Sequence, residues 1–360
     1  MCHRPKPRSD AARWRVIYCR ADAGTYLRAV TNVFTLQKPG AEDRGLERNP
    51  GMAYAPELFD RLRINRSAVE RRAATLPARR AIKKDWQAAW LLKAVSCIDL
   101  TTLAGDDTPG RVRRLCQKAL RPIRRDLLNA LGMADAGLTT GAVCVYHNLI
   151  PVAVCELEGS GVPVAAVSTG FPAGQIPMSL KLAQIRESVK AGAGEIDIVI
   201  SRGRVLTGDW RGLYDEVKAC RETCGAAHVK AILATGELGT LTNVARASWV
   251  CMQAGADFIK TSTGKEQVNA TLPVSLVMVR AIRDYHRLTG YKVGYKPAGG
   301  IGKAKEALAY LTLIREELGR AWLDPHLFRF GASSLLGDIE RQLEHFVTGH
   351  YSVDYRHPLG

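Results

Sequence analysis

The 360-residue chain has no run of apolar residues long enough to cross a bilayer, which argues against a helical membrane protein. Arg4, Lys6, Arg8, Arg13 and Arg15 lie near the N-terminus, but no apolar stretch of the secretory kind follows them. Nine cysteines are scattered with no repeating spacing. An odd, unpatterned set without an export signal argues against a disulfide framework and points to reduced thiols and a cytoplasmic location. Cys220 and Cys224 stand four apart on an expected helix, yet no second Cys/His pair at ligand spacing accompanies them, so no metal site is expected. The segment Thr101-Thr102-Leu103-Ala104-Gly105, after the first expected strand, lacks the glycine pattern of a dinucleotide-binding turn.

What the chain does have is charge, unevenly placed. The formal net charge is +16. Residues 1–93 carry 20 Lys+Arg against 9 Asp+Glu, and the other 267 carry 31 against 26. A nearly neutral body therefore follows a basic leading segment. Residues 1–55 read as a weakly structured basic leader, broken by Pro5, Pro7, Pro39-Gly40 and Pro50-Gly51. Met52 is a candidate start, with residues 1–51 then dispensable. Residues 56–93 read as a helical segment whose arginines and lysines form a solvated face, with RNA binding as the sharper alternative. Residues 94–348 form the main body and 349–360 a tail.

In that body, short apolar runs alternate with longer segments of helical spacing. The runs are Val95–Leu100, Ala142–Tyr146, Val164–Thr169, Glu195–Ile200, His228–Ala234, Asp257–Thr261, Lys292–Lys296 and Leu327–Ala332. Segments such as Ser179–Ala191, Trp210–Cys224, Asn243–Ala254, Leu272–Leu288 and Lys303–Leu318 lie between them. Eight such units over about 250 residues predict an α/β fold, a (β/α)8 TIM barrel with an N-terminal helical extension. A doubly wound open sheet is the runner-up.

Active sites in this barrel sit at the C-terminal ends of the strands. The polar residues closing the runs are Asp99 and Thr101, Cys144, Thr169, Asp197, Lys230, Lys260, Lys296, and Gly331 with Ser333 and Ser334. Lys260 ends the apolar run Asp257-Phe258-Ile259. Desolvation disfavours its ammonium form, and a neutral lysine amine makes Schiff bases with carbonyl substrates. The bland alternative is that Lys260 snorkels to solvent or pairs with Asp257. Lys296, if close to Lys260, would ease the loss of its proton by like-charge repulsion. Asp197 reads either as a salt-bridge partner of these lysines or as a proton-transfer group acting through water. Gly299-Gly300 and Gly331-Ala332-Ser333-Ser334 follow the seventh and eighth strands, where barrels commonly bind phosphate, and Lys265 beside Gly264 adds charge.

The stretches Asp99-Leu100-Thr101-Thr102-Leu103, Phe258-Ile259-Lys260-Thr261-Ser262-Thr263-Gly264-Lys265, Lys296-Pro297-Ala298-Gly299-Gly300 and Gly331-Ala332-Ser333-Ser334 occur in this order and resemble the deoxyribose-phosphate aldolase family, close to its animal members. The likeness covers roughly residues 65–350. It implies a class I aldolase without cofactor or metal that reversibly cleaves 2-deoxy-D-ribose 5-phosphate to D-glyceraldehyde 3-phosphate and acetaldehyde, in deoxynucleoside and deoxyribose phosphate catabolism. By that likeness Lys260 is the Schiff-base lysine, Lys296 the second lysine and Asp197 the catalytic aspartate. Asp99 and Cys144 support the site, and Gly264, Lys265, Gly299, Gly300, Ser333 and Ser334 bind the substrate phosphate.

Three positions depart from the family pattern. Gly302 stands where an arginine is usual, His147 where a proline is usual, and the tail offers Tyr351 and Tyr355 for a tyrosine that reaches the site. The partner implied is a small phosphorylated sugar, with no membrane. Nucleic acid is left to the basic N-terminal segment, and self-association stays open. Competing readings are another Schiff-base aldolase on the same barrel, or an RNA-associated protein with an inert barrel.

Overall fold

Each apolar run becomes a strand because it is covered on one side by helices and filled on the other by the barrel interior. In the computed structural model residues 48–79 and 82–353 are described, so expectations for residues 1–47 and for Tyr355 lie outside them. The strands are β1 (Ile98–Thr101), β2 (Ala142–Val145), β3 (Val164–Ser168), β4 (Glu195–Val199), β5 (His228–Ile232), β6 (Phe258–Lys260), β7 (Gly294–Lys296) and β8 (Phe330–Ala332). All are parallel, and neighbours in sequence are neighbours in the sheet, with β1 also paired to β8. Bridges Tyr295↔Phe328 and Ala298↔Gly331 close the ring between β7 and β8. The expected (β/α)8 barrel is the fold observed.

The helices are α1 (Arg66–Arg79), α2 (Lys84–Ser96), α3 (Pro109–Leu120), α4 (Arg125–Ala130), α5 (Ile150–Glu156), α6 (Met178–Lys190), α7 (Arg202–Thr207), α8 (Trp210–Thr223), α9 (Leu241–Gln253), α10 (Leu272–Thr289), α11 (Ala304–Glu317) and α12 (Leu335–Thr348). Several begin on a side-chain cap that satisfies an orphan amide. Thr108 accepts from Arg111 N, Asp209 from Gly212 N, Thr240 from Asn243 N and Thr271 from Val274 N. Gly290 ends α10 in the left-handed region (φ +79°), which costs a glycine little. Among the described residues no helix is long and apolar enough to cross a membrane. The seven cysteines among the described residues are unpaired.

Two boundaries differ from expectation. Val95 and Ser96, assigned to the first strand, complete α2, so the helical extension runs past residue 93. Residues 48–55, expected to belong to the leader, form a segment fixed across the lower end of the barrel. Asn49 is 2% exposed, and its side-chain nitrogen donates to Met252 O (2.8 Å) and Ala256 O (2.9 Å). Its oxygen accepts from Tyr285 Oη (3.1 Å), and its backbone N donates to Asp257 Oδ1 (3.0 Å). Arg48 pairs with the other oxygen of Asp257, and Met52 N donates to Gln253 O. A break signal such as Pro50-Gly51 reports local bending, not whether the bent piece finds partners. Residues 48–51 are therefore tied to the barrel by hydrogen bonds that a chain starting at Met52 would lack.

Candidate active site

Side chains at alternate strand positions point into the barrel. On β1 that face carries Asp99, on β4 Glu195 and Asp197, on β5 Lys230, on β6 Lys260 and on β7 Lys296. Arg329, just before β8, joins them. Barrels of this kind are usually filled by branched apolar side chains; here seven buried charges occupy the interior.

Register places the reacting pair. Lys260 and Lys296 are partnered across β6 and β7. Thr261 and Ser262 hydroxyls both donate to Ala298 O, and Ala298 N donates to Thr261 Oγ1 (3.0 Å), which ties the two strand ends together. Lys260 Nζ and Lys296 Nζ each lie 2.8 Å from Asp197 Oδ2. Lys296 also donates to Asp99 Oδ2, across β8. It reaches that far because Gly331 stands between them. A Cβ on Gly331 would sit 3.2 Å from Lys296 Cε and 2.7 Å from Ala298 Cβ.

Lys230 takes the other side of Asp197, with Nζ 3.0 Å from Oδ1, and also donates to Glu195. Arg329 Nη2 in turn holds Glu195 Oε1 at 2.9 Å. The opposite wall is apolar: Cys144, Ala165 and Val167 are fully buried, with Leu103, Tyr146 and Phe171 over them. Tyr146 and Phe171 meet edge to face at 5.9 Å.

The charges set the chemistry. Burial lowers the Lys260 pKa below the ordinary lysine value; Asp197 opposes this and Lys296 assists it. Burial also acts to lower Lys296, but Asp197 and Asp99 outweigh it and hold this lysine above the ordinary value. Burial acts to raise Asp197, and Lys230, Lys260 and Lys296 outweigh it, so the carboxyl stays well below its usual range. A lysine inclined to neutrality and a lysine firmly cationic thus share one ionised carboxylate. Burial pushes the Cys144 thiol up to about 12, so it lines the wall as a neutral group.

The structure brings together Lys260, Lys296, Asp197, Asp99 and Cys144. The pairing of Lys260 with Asp257 does not form: three positions apart on a strand, the two face opposite sides, and Asp257 binds Arg48 and the amides of Asn49 and Val229. Glu195 and Arg329 went unassigned in the sequence reading. Their signal was spacing, since each stands two positions before an inward residue, Asp197 and Gly331.

The six residues of the phosphate expectation lie on the consecutive loops after β6, β7 and β8. Gly264, Gly299 and Gly300 all have left-handed backbone (φ +85°, +79° and +78°). A Cβ on Gly264 would be 3.9 Å from Gly299 Cα, and one on Gly302 would be 3.2 Å from Ser334 Oγ, so the three loops adjoin. Ser333 and Ser334 are exposed at the start of α12, and Lys265 is exposed. The Thr263 and Gly264 amides donate to the Glu266 carboxylate (3.0 and 3.1 Å), which already occupies that end of the loop. Lys303, beside Gly302, lies 3.6 Å from Asp338. His147 is turned to α6, where its Nδ1 lies 2.5 Å from Ser188 Oγ. Tyr351 is exposed and stacks on His345 at the far end of α12, away from the lysines. A cleft of about 640 Å³ between α1, α2 and α11 lies outside the barrel and carries none of the interior charges.

Comparison with known proteins identifies the family. Residues 93–334 match the model of the DeoC/LacD family aldolases. The chain is 59% identical to the deoxyribose-phosphate aldolase of Homo sapiens over 313 residues, covering 86% of this chain and 98% of that one. It is 61% identical to that of Mus musculus over 303 residues, covering 84% and 95%. A solved structure of a putative deoxyribose-phosphate aldolase from Toxoplasma gondii superposes with a TM-score of 0.63 at 20% identity, covering 74% of this chain and 98% of that one, a likeness of fold. With a matched family model that spans most of the barrel and such identity along nearly the full length of animal relatives, the chain belongs to the DeoC/LacD family of aldolases, among its deoxyribose-phosphate aldolases.

Proposed function

We propose that the protein is a class I aldolase that reversibly cleaves 2-deoxy-D-ribose 5-phosphate to D-glyceraldehyde 3-phosphate and acetaldehyde through an imine on Lys260. The observation that carries this reading is the shared carboxylate: Lys260 and Lys296, both buried, lie on Asp197 Oδ2 at 2.8 Å.

Neutral Lys260 attacks the C1 aldehyde, and the carbinolamine loses water to give an iminium. The iminium withdraws electrons from C2. The C2–C3 bond breaks as the C3 hydroxyl gives up its proton, releasing the three-carbon aldehyde and leaving a two-carbon enamine on Lys260. Asp197, ionised and held by Lys296, takes that proton through water and delivers it to C2. Water then hydrolyses the iminium and frees acetaldehyde. The proton lost at C3 ends on C2, so the sequence balances without a cofactor.

The apolar wall of Cys144, Ala165 and Val167 suits the two-carbon fragment. The glycine loops, with Lys265, Ser333 and Ser334, receive the phosphate, whose binding orients the reacting carbons. Unpaired cysteines support a reducing compartment, which we read as the cytoplasm.

Borohydride reduction in the presence of substrate tests the assignment. Peptide mass analysis should find the adduct on Lys260, and Lys260→Leu should abolish both adduct and turnover. An adduct on another lysine would overturn it.

A further inference from the structure

The barrel interior holds four cations and three anions. Lys230, Lys260, Lys296 and Arg329 face Asp99, Asp197 and Glu195, and all seven are buried. They are stacked in order. Arg329 binds Glu195 at the lower end, and Lys230 spans Glu195 and Asp197 above it. Lys260 and Lys296 share the far oxygen of Asp197, and Lys296 also holds Asp99. Three carboxylates compensate three cations, so one positive charge is left over in a place where an uncompensated ion is costly.

The group that sheds its proton at least cost relieves the excess. Arg329 does not deprotonate. Lys230 and Lys296 each bond two carboxylates. Lys260 bonds one, through an oxygen that Lys296 also uses. Resting on the Schiff-base reading of Lys260, we propose that Lys230 is a positioning residue of the reaction. By holding Asp197 Oδ1 and Glu195 together it leaves Lys260 as the surplus cation, and so supplies the neutral amine.

The surroundings agree. Burial acts to lower Lys230, but Asp197 and Glu195 outweigh it and keep this lysine above the ordinary value, opposite to Lys260. From the neighbouring strands the buried Cys144 thiol of β2 acts on Lys260, and Ala165 and Val167 of β3 pack against Cys144 without adding a charge. His228, at the foot of β5, lies among Asp257, Glu195, Arg48 and Lys230, and burial lowers its pKa.

The experiment is the pH profile of acetaldehyde trapping on the full chain with cyanoborohydride, the adduct being located by peptide mass. Lys230→Met removes a cation, so Lys260 holds its proton more tightly and the acid limb moves up by roughly one to two pH units, the scale of one charge a few ångströms away at an effective dielectric of about 20. Lys230→Arg keeps the charge and restores the wild-type limb. Glu195→Gln removes an anion from the same stack, so its limb moves the other way, downward, by less. A purely structural role would not give opposite signs. Adducts on Lys260 whose limbs coincide, or shift in the same direction in Lys230→Met and Glu195→Gln, overturn the proposal. If Lys230→Met does not fold, an unmoved or raised limb in Glu195→Gln overturns it alone. Failure of the wild type to trap at Lys260 is a separate result, and sinks the Schiff-base reading instead.

Discussion

Replacing Lys296 by methionine should cost the enzyme its nucleophile before it costs the enzyme its fold. Both lysine nitrogens lie 2.8 Å from the same Asp197 oxygen, so they are at most twice that, 5.6 Å, apart. At an effective dielectric of about 20, two like charges at that separation repel by about 3 kcal/mol, equivalent to about two pH units on the Lys260 titration. The sign is upward: without the neighbouring ammonium, Lys260 keeps its proton to higher pH, and its neutral fraction at pH 7 falls by about a hundredfold. A second loss adds to this, because Asp197 no longer has Lys296 to hold it during proton transfer. The two parts separate in a profile of kcat/KM and of borohydride trapping from pH 6 to pH 10. Trapping should recover toward wild type at high pH, while turnover recovers only in part. If trapping shows the wild-type acid limb and turnover is depressed equally at every pH, the like-charge argument is wrong and Lys296 serves proton transfer alone.

Asn49→Ala strips four buried or half-buried hydrogen-bond partners, Met252 O, Ala256 O, Tyr285 Oη and Gly51 N. With about 1–3 kcal/mol for each buried group left unpaired, a loss of several kcal/mol and a fall in Tm of roughly 10 °C or more are expected. The active site is untouched, so kcat at 25 °C should hold; a thermal melt within about 1 °C of wild type would refute the structural role of this segment. Gly302→Arg places a guanidinium beside Ser334, where the only close contact for a new Cβ is a rotatable hydroxyl at 3.2 Å. KM for 2-deoxyribose 5-phosphate should fall while KM for unphosphorylated 2-deoxyribose stays put, and a fall in both, or in neither, would remove Gly302 from the phosphate account.

The alternation of apolar runs and helical segments was enough to read eight strands and their order, because a parallel strand buried on both faces has little freedom to be anything else. Lys260, Lys296 and Asp197 were legible as inward groups at strand ends. The stack beneath them was not, although Glu195 shares a face with Asp197 by simple alternation. What hid it was register: the height at which a side chain on one strand meets one on the strand opposite depends on the stagger of the whole barrel, which no single segment records. Arg329 was passed over for the same reason, although it lies within the run Leu327–Ala332, two positions before Gly331. Asn49 was misread because all its partners but the nearby Gly51 lie some 200 residues later, beyond the reach of any local pattern.

The clasp formed by Arg48 and Asn49 has a consequence for biosynthesis. Its anchor, Asp257, is 208 residues downstream of Asn49, and Tyr285 is 236 downstream. A ribosome working from the N-terminus releases the clasp early and its receptors late, so the first of these residues to be made is among the last to find its place. Until then the underside of the nascent barrel stays unsealed, and a clasp weakened by mutation would show as loss of yield during translation in cells before it showed as loss of activity in the purified enzyme.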